Sequence, residues 1–231
     1  MSTTVAPTLA APVAAPPEDE TFSIEGLSWD QYVTINDALG DRGGLMVRYL
    51  DGRLTFVSPA RVHEWSGDSV DRIVMAIAVG CSIEIDVVAS TTLRRELNQA
   101  GLEGDKVYYL RDNAVRMAGP VEIDLAQDPP PDLAVEVENS RKASDAMTIY
   151  ARLGVPEVWR LDVRRPGLTF WALGPDRSYR PIDRSAAFPF LAPEDVLLQV
   201  RRAEETRSTI RWLAQLADWV RDVIRPRLDP A

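Results

Sequence analysis

The chain has 231 residues, 45% of them apolar and 26% charged, a balance that suits a globular protein and not a disordered or fibrous one. Its formal charge of −9 argues against a surface that attracts nucleic acid everywhere, while leaving room for a local basic groove. A single cysteine, Cys81, excludes an intrachain disulfide, and a single histidine, His63, excludes a Cys/His metal cluster. Any metal would therefore be held by oxygen, as magnesium and manganese are.

In chain order, residues 1–20 are rich in Ala, Pro, Thr and acids, too poor in apolar surface to offset the entropy of ordering, and are expected to form a disordered tail. No basic residues precede the Ala/Pro stretch, so it is not read as a signal peptide, and no apolar run is long enough to span a membrane. A cytoplasmic location is the expectation. Trp29, Tyr32, Val33, Ile35 and Leu39 predict a helix over 29–39, with Ser28 as its cap. Two apolar runs, 45–50 and 54–57, flank Asp51-Gly52 and predict a hairpin. After Ser58-Pro59, Val62, Ser66, Val70, Ile73, Val74 and Ile77 recur at helical spacing and predict a long amphipathic helix to about residue 79. Residues 83–88 and 107–110 read as strands, and the stretch between 110 and 131 as turns. A helix over 144–153 is closed by Gly154, and Pro166-Gly167 joins strands 158–163 and 168–173. A final helix over 203–222 carries Ile210, Leu213, Ala217 and Val220 as its expected buried stripe. Its Trp212 and Trp219, one heptad apart, suggest a homodimer surface, and its mixture of acids with arginines does not suit an anionic lipid surface. The predicted fold class is α/β, a mixed β-sheet flanked by helices, with a main domain over 21–200 and an amphipathic helix and tail over 201–231.

The stretch most informative for function is Pro129-Pro130-Pro131-Asp132-Leu133-Ala134-Val135-Glu136-Val137-Glu138. The prolines stop the preceding element. On the strand that follows, Asp132, Ala134, Glu136 and Glu138 share one face, and Leu133, Val135 and Val137 the other. Close carboxylates either face water or line a site that needs a cation. Asp105 opens the strand at 107–110, after Gly101 and Gly104, and if the two strands are neighbours it converges with Glu136. A divalent cation removes the cost of two adjacent ionised carboxylates and can activate water for phosphodiester hydrolysis, usually with a lysine to neutralise developing charge. Each residue also has a plainer reading. Asp105, Glu136 and Glu138 can be exposed acids, Asp132 can fix the start of its strand, and His63 can be structural. Arg94 and Arg95 can contact phosphate or form surface ion pairs, while Trp159, Trp171 and Tyr150 read as core.

Four segments carry a family resemblance: Ser90-Thr91-Thr92-Leu93-Arg94-Arg95; Glu103-Gly104-Asp105 with Tyr108-Tyr109; Pro130-Pro131-Asp132-Leu133-Ala134-Val135-Glu136-Val137; and Tyr150-Ala151-Arg152-Leu153-Gly154-Val155-Pro156-Glu157-Val158-Trp159. In this order they resemble the Uma-type family of bacterial restriction-endonuclease-like proteins, over about 27–197. The resemblance implies the PD-(D/E)XK nuclease fold, DNA as substrate, magnesium or manganese as cofactor and a homodimer. It makes Asp105 and Glu136 the metal-binding acids and puts Glu138 where many such nucleases keep lysine. Family members often carry that lysine on the next helix, four residues before the tyrosine matching Tyr150. Here that position is Ala146, leaving Lys142 or Lys106 to substitute. Two expectations follow: a magnesium-dependent endonuclease weakened by the missing lysine, or an inactive nuclease-fold protein that binds or assembles.

Overall fold

Ser28 does what its position suggests in the computed structural model, which describes residues 17–40, 44–88, 92–119, 123–140 and 145–228. Its Oγ accepts from the Gln31 N–H at 3.3 Å while its own N–H donates to Gln31 Oε1 at 2.8 Å, a reciprocal cap that starts α1 (Trp29–Leu39). The hairpin forms as β2 (Met46–Leu50) and β3 (Arg53–Ser58), joined by Asp51 at φ 48° and Gly52 at φ 88°, the left-handed pair that a two-residue turn requires. Ahead of them runs β1 (Glu20–Ile24), which sequence pattern did not reveal because its side chains are mostly exposed. The long helix is α2 (Arg61–Cys81), with Val70, Ile73, Val74 and Ile77 fully buried as its periodicity predicts.

The rest of the chain adds β4 (Ile85–Val87), β5 (Thr92–Arg95), β6 (Ala100–Glu103), β7 (Lys106–Leu110) and the short α3 (Asp112–Met117). Then come β8 (Leu133–Glu138), α4 (Ala146–Leu153), β9 (Glu157–Asp162), β10 (Gly167–Leu173) and β11 (Tyr179–Ile182), and finally α5 (Pro193–Thr206) and α6 (Thr209–Trp219). Two sheets form where one was expected. The first has the order β1-β3-β2-β6-β5, the second β11-β10-β9-β8-β7-β4. Every pairing is antiparallel except β8 with β9, which is parallel and joined through α4, since a parallel pair needs a crossover. The stretch ahead of residue 105, which the sequence pattern assigns to no element, forms the β5–β6 hairpin of the first sheet. Its strands are four residues each, too short for alternation to show.

The second sheet is buried on both faces. On one, α2, α5 and α6 cover Val135, Trp159 and Phe170, with Trp159 and Phe170 stacked at 4.3 Å between centroids. On the other, α4 and β6 cover Ala134, Val158 and Tyr109. The single C-terminal helix expected over 203–222 is two. Arg207, at φ 49°, breaks the chain, and Ser208 restarts it by accepting from the Arg211 N–H. The restart changes the buried stripe. Ile210 is 84% exposed and Leu213 40%, whereas Trp212, Leu216, Trp219 and Val220 are buried against α2 and α5. Large aromatics win because each buries more apolar area than a leucine or isoleucine. The two tryptophans are thus core residues of this chain and do not supply a dimer surface. No helix among the described residues is long and apolar enough to cross a membrane.

Candidate active site

The two sheets meet at Gly104-Asp105, where the chain leaves β6 of the first and enters β7 of the second. β7 and β8 pair antiparallel with Lys106 opposite Val135, and one further step of that register sets Asp105 opposite Glu136. Cross-strand partners project to the same face, so the two acids do converge. Asp105 Oδ2 accepts the Val137 N–H at 2.6 Å, which fastens the β7 end to β8. Glu136 lies on the same face of β8 as Ala134, toward α4, where the Tyr150 hydroxyl donates to its Oε2 at 3.4 Å. Gly104 makes room for that contact: a Cβ there would fall 2.7 Å from the Tyr150 hydroxyl oxygen and 2.6 Å from Val107 Cγ2.

A cation reaches the acids from the first sheet. Arg48, on β2, places Nη2 2.7 Å from Glu136 Oε1, both side chains buried. From α2, His63 Nε2 lies 3.1 Å from Asp105 Oδ2, and its Nδ1 pairs with Asp19 Oδ2 at 2.8 Å. Asp19 also accepts from the Ala60 N–H at 2.8 Å and from Asn139 Nδ2 at 3.1 Å. It thereby serves the start of α2, where Ala60 has no capping side chain of its own. The expected disordered tail reached to about residue 20, but Asp19 is built into the site; residues 1–16 lie outside the described residues.

The electrostatics follow from burial. Loss of solvent pushes the Glu136 carboxyl up to about 7; Arg48 opposes the rise and the charge of Asp105 adds to it. Burial works against the charged form of His63, yet Asp105 and Asp19 outweigh it and push the ring up to about 10, so it is imidazolium at neutral pH. Two buried cations thus face three carboxylates, those of Asp19, Asp105 and Glu136.

The other sequence candidates part company here. Glu138 lines the same cleft but is held by Arg160. Lys106 turns to Asp68 on α2 at 3.0 Å, away from the cleft. Lys142 lies outside the described residues. Ala146 is fully buried at the start of α4 and lines the cleft where the resemblance called for lysine. Arg94 pairs with Asp37 at 2.8 Å. Asp132 takes its plainer reading: it accepts from the Leu110 N–H at 2.7 Å and from Asn113 Nδ2 at 2.9 Å, fixing the start of β8. Glu157 is equally structural, accepting from the Ala187 N–H at 2.7 Å. Sequence reasoning missed Arg48 and Asp19. An arginine within a strand run was the one signal that could have marked Arg48, and nothing local marked Asp19.

The cleft lined by Asp19, Arg48, His63, Glu136, Glu138 and Ala146 has a volume of about 740 Å³, and Asp105 is buried against His63 and Val137 of that lining. The donor chemistry suits a hard divalent cation in one respect: Asp105 Oδ1 is buried without a hydrogen-bond partner, beside a second carboxylate. Among the described residues, no group of three or more His, Cys, Asp and Glu side chains is arranged to hold a metal. Asp105 and Glu136 are the two acids here that could hold such an ion.

The fold has a counterpart of known structure. The crystal structure of a putative nuclease belonging to DUF820 from Anabaena variabilis ATCC 29413 superposes with a TM-score of 0.50 at 13% identity, covering 75% of this chain and 99% of that one. No curated protein matches the sequence. The family model Uma2, described as Putative restriction endonuclease, matches residues 29–205, from the first turn of α1 to the end of α5 and across both acids of the site. That match spans most of the chain, and the protein belongs to the Uma2 family of putative restriction endonucleases.

Proposed function

We propose that the chain is a DNA endonuclease that uses magnesium or manganese held between Asp105 and Glu136. The observation supporting this is the convergence of the two acids from neighbouring strands, one of them with a buried oxygen that lacks a hydrogen-bond partner. A divalent ion at such a pair polarises a phosphate oxygen and lowers the pKa of a bound water. The remaining work belongs to the chain. The Val137 N–H and the His63 ring orient Asp105 through Oδ2 and leave Oδ1 as its free oxygen. Arg48 opposes the rise that burial imposes on the Glu136 carboxyl, and it places fixed positive charge beside the acids in the role left by Ala146. It also competes for Oε1, so metal binding is weaker than at a bare pair of acids.

A second reading, a nuclease-fold protein that binds DNA without cutting it, has its own support in the Arg48–Glu136 pair and in Ala146. Plasmid relaxation separates the two. Wild-type protein should nick supercoiled DNA with magnesium or manganese, and E136Q and D105N should fall to background. Ala146→Lys should raise the rate, by about 100- to 1000-fold if the added charge acts as one transition-state donor. Silence from both wild type and Ala146→Lys, each folded and supplied with either ion, would leave the binding reading.

A further inference from the structure

Beside the carboxylate cleft, and sharing Arg160 and Met147 with it as common walls, lies a second open cleft of about 890 Å³. Its lining includes Arg152, Arg160, Arg177, Trp171 and Tyr179 and contains no aspartate or glutamate, on a chain whose formal charge is −9. Strand register explains how Arg160, Trp171 and Tyr179 come together, while Arg152 comes from α4 and Arg177 from the turn between β10 and β11. Glu136 on β8 is the neighbour of Arg160 on β9, and Arg160 pairs with Thr169 on β10. Trp171 follows Thr169 at i+2, and Leu173, at i+4, pairs with Tyr179 on β11. Residues two apart on a strand share a face, as do direct cross-strand partners. Glu136, Arg160, Trp171 and Tyr179 therefore form one line across four successive strands, on the face toward α4. Three inter-strand spacings of about 4.8 Å, together with the four-residue offset along β10 at about 3.3 Å per residue, carry that line roughly 20 Å from the acid, about six nucleotide rises of one DNA strand.

We propose that this line, with Arg152 and Arg177 beside it in the cleft, is the track that holds a DNA strand on one side of the scissile phosphate, the three arginines contacting the phosphodiester backbone. Arg177 is exposed and donates a 3.3 Å hydrogen bond to the Ala151 carbonyl, and so can turn to a phosphate at little cost. Arg152 and Arg160 are already paired with Asp51 and Glu138, which holds them at the rim in place. Trp171 contributes a ring and an indole N–H that is buried without a partner; a base stacks on such a ring without regard to sequence. On a chain of formal charge −9, a cleft lined by three arginines and no acid is where a DNA strand would be repelled least.

The inference rests on the carboxylate cleft being a nuclease site, and the test keeps the two apart. Binding of a fluorescein-labelled oligonucleotide, single-stranded and duplex, is followed by anisotropy in EDTA across a salt series, beside plasmid cleavage with magnesium. E136Q, which removes a negative charge from the end of the track, should bind at least as tightly as wild type while losing cleavage. R177E should bind at least about tenfold more weakly, and R177A should lower the slope of log K against log salt by about 1, with R177K restoring it. R177E binding as tightly as wild type with the same slope overturns the track while leaving cleavage untouched, and so does failure of the wild type to bind either oligonucleotide. Arginine-dependent binding by a wild type that never cleaves removes the nuclease reading and keeps the track.

Discussion

At the scale of single residues, the site is a set of charges that hold one another in place. His63 bridges Asp19 and Asp105, and because its folded pKa is raised from 6.5 to about 10 its contribution to stability is complete below about pH 6.5 and is lost as pH rises through about 10. Glu136 has the same sign for a different reason. Burial favours its neutral form, so its contribution is present below about 4.5 and lost as pH rises through about 7. Asp19 is shifted the other way, below 3.8, and costs stability only in stronger acid. The melting temperature should therefore fall steadily from pH 5 to pH 10, and H63Q should flatten the upper half of that curve. Parallel curves for the two proteins would mean that the ring is not charged. Arg48 gives a second test. Arg48→Met leaves a buried carboxylate without its cation and should cost about 3–5 kcal/mol in urea titration at pH 8. Adding E136Q should recover most of the loss, since no charge is then stranded.

At the scale of elements, function depends on a junction. β6 ends the first sheet, β7 begins the second, and the two residues between them carry the glycine that admits Tyr150 and the aspartate that meets Glu136. Gly104→Ala should destabilise by about 1–3 kcal/mol through overpacking and, by displacing Tyr150, reduce cleavage more than its effect on stability explains. A mutant that loses stability but cleaves at the wild-type rate when folded would separate Tyr150 from the chemistry. Much at this scale was legible in sequence. The Ser28 cap, the Asp51-Gly52 hairpin, the α2 stripe and the Gly154 stop all rest on local rules, and all are present. β1, β5, β6 and β11 were not legible. They are short or mostly exposed strands whose partners lie elsewhere in the chain, and they lack the period that longer elements display.

At the scale of the whole molecule, α5 and α6 close over the second sheet and choose which side of the last helix is buried. Leu216→Ala should cost about 2–5 kcal/mol by chemical denaturation, whereas Ile210→Ser should stay within about 0.5 kcal/mol, the reverse of what the sequence stripe implies. Read alone, the amino-acid sequence marked the family and the fold class through the order of its motifs and singled out Asp105 and Glu136, but it left open whether their strands are neighbours, which the pairing of β7 with β8 decides. The partners of those acids were decided only in three dimensions. Arg48 comes from the other sheet and Asp19 from ahead of β1, and the arginines of the neighbouring cleft come from β9, α4 and the turn before β11. A buried charge must be met by whichever opposite charge the fold brings to it, and no rule of sequence spacing says which residue that will be.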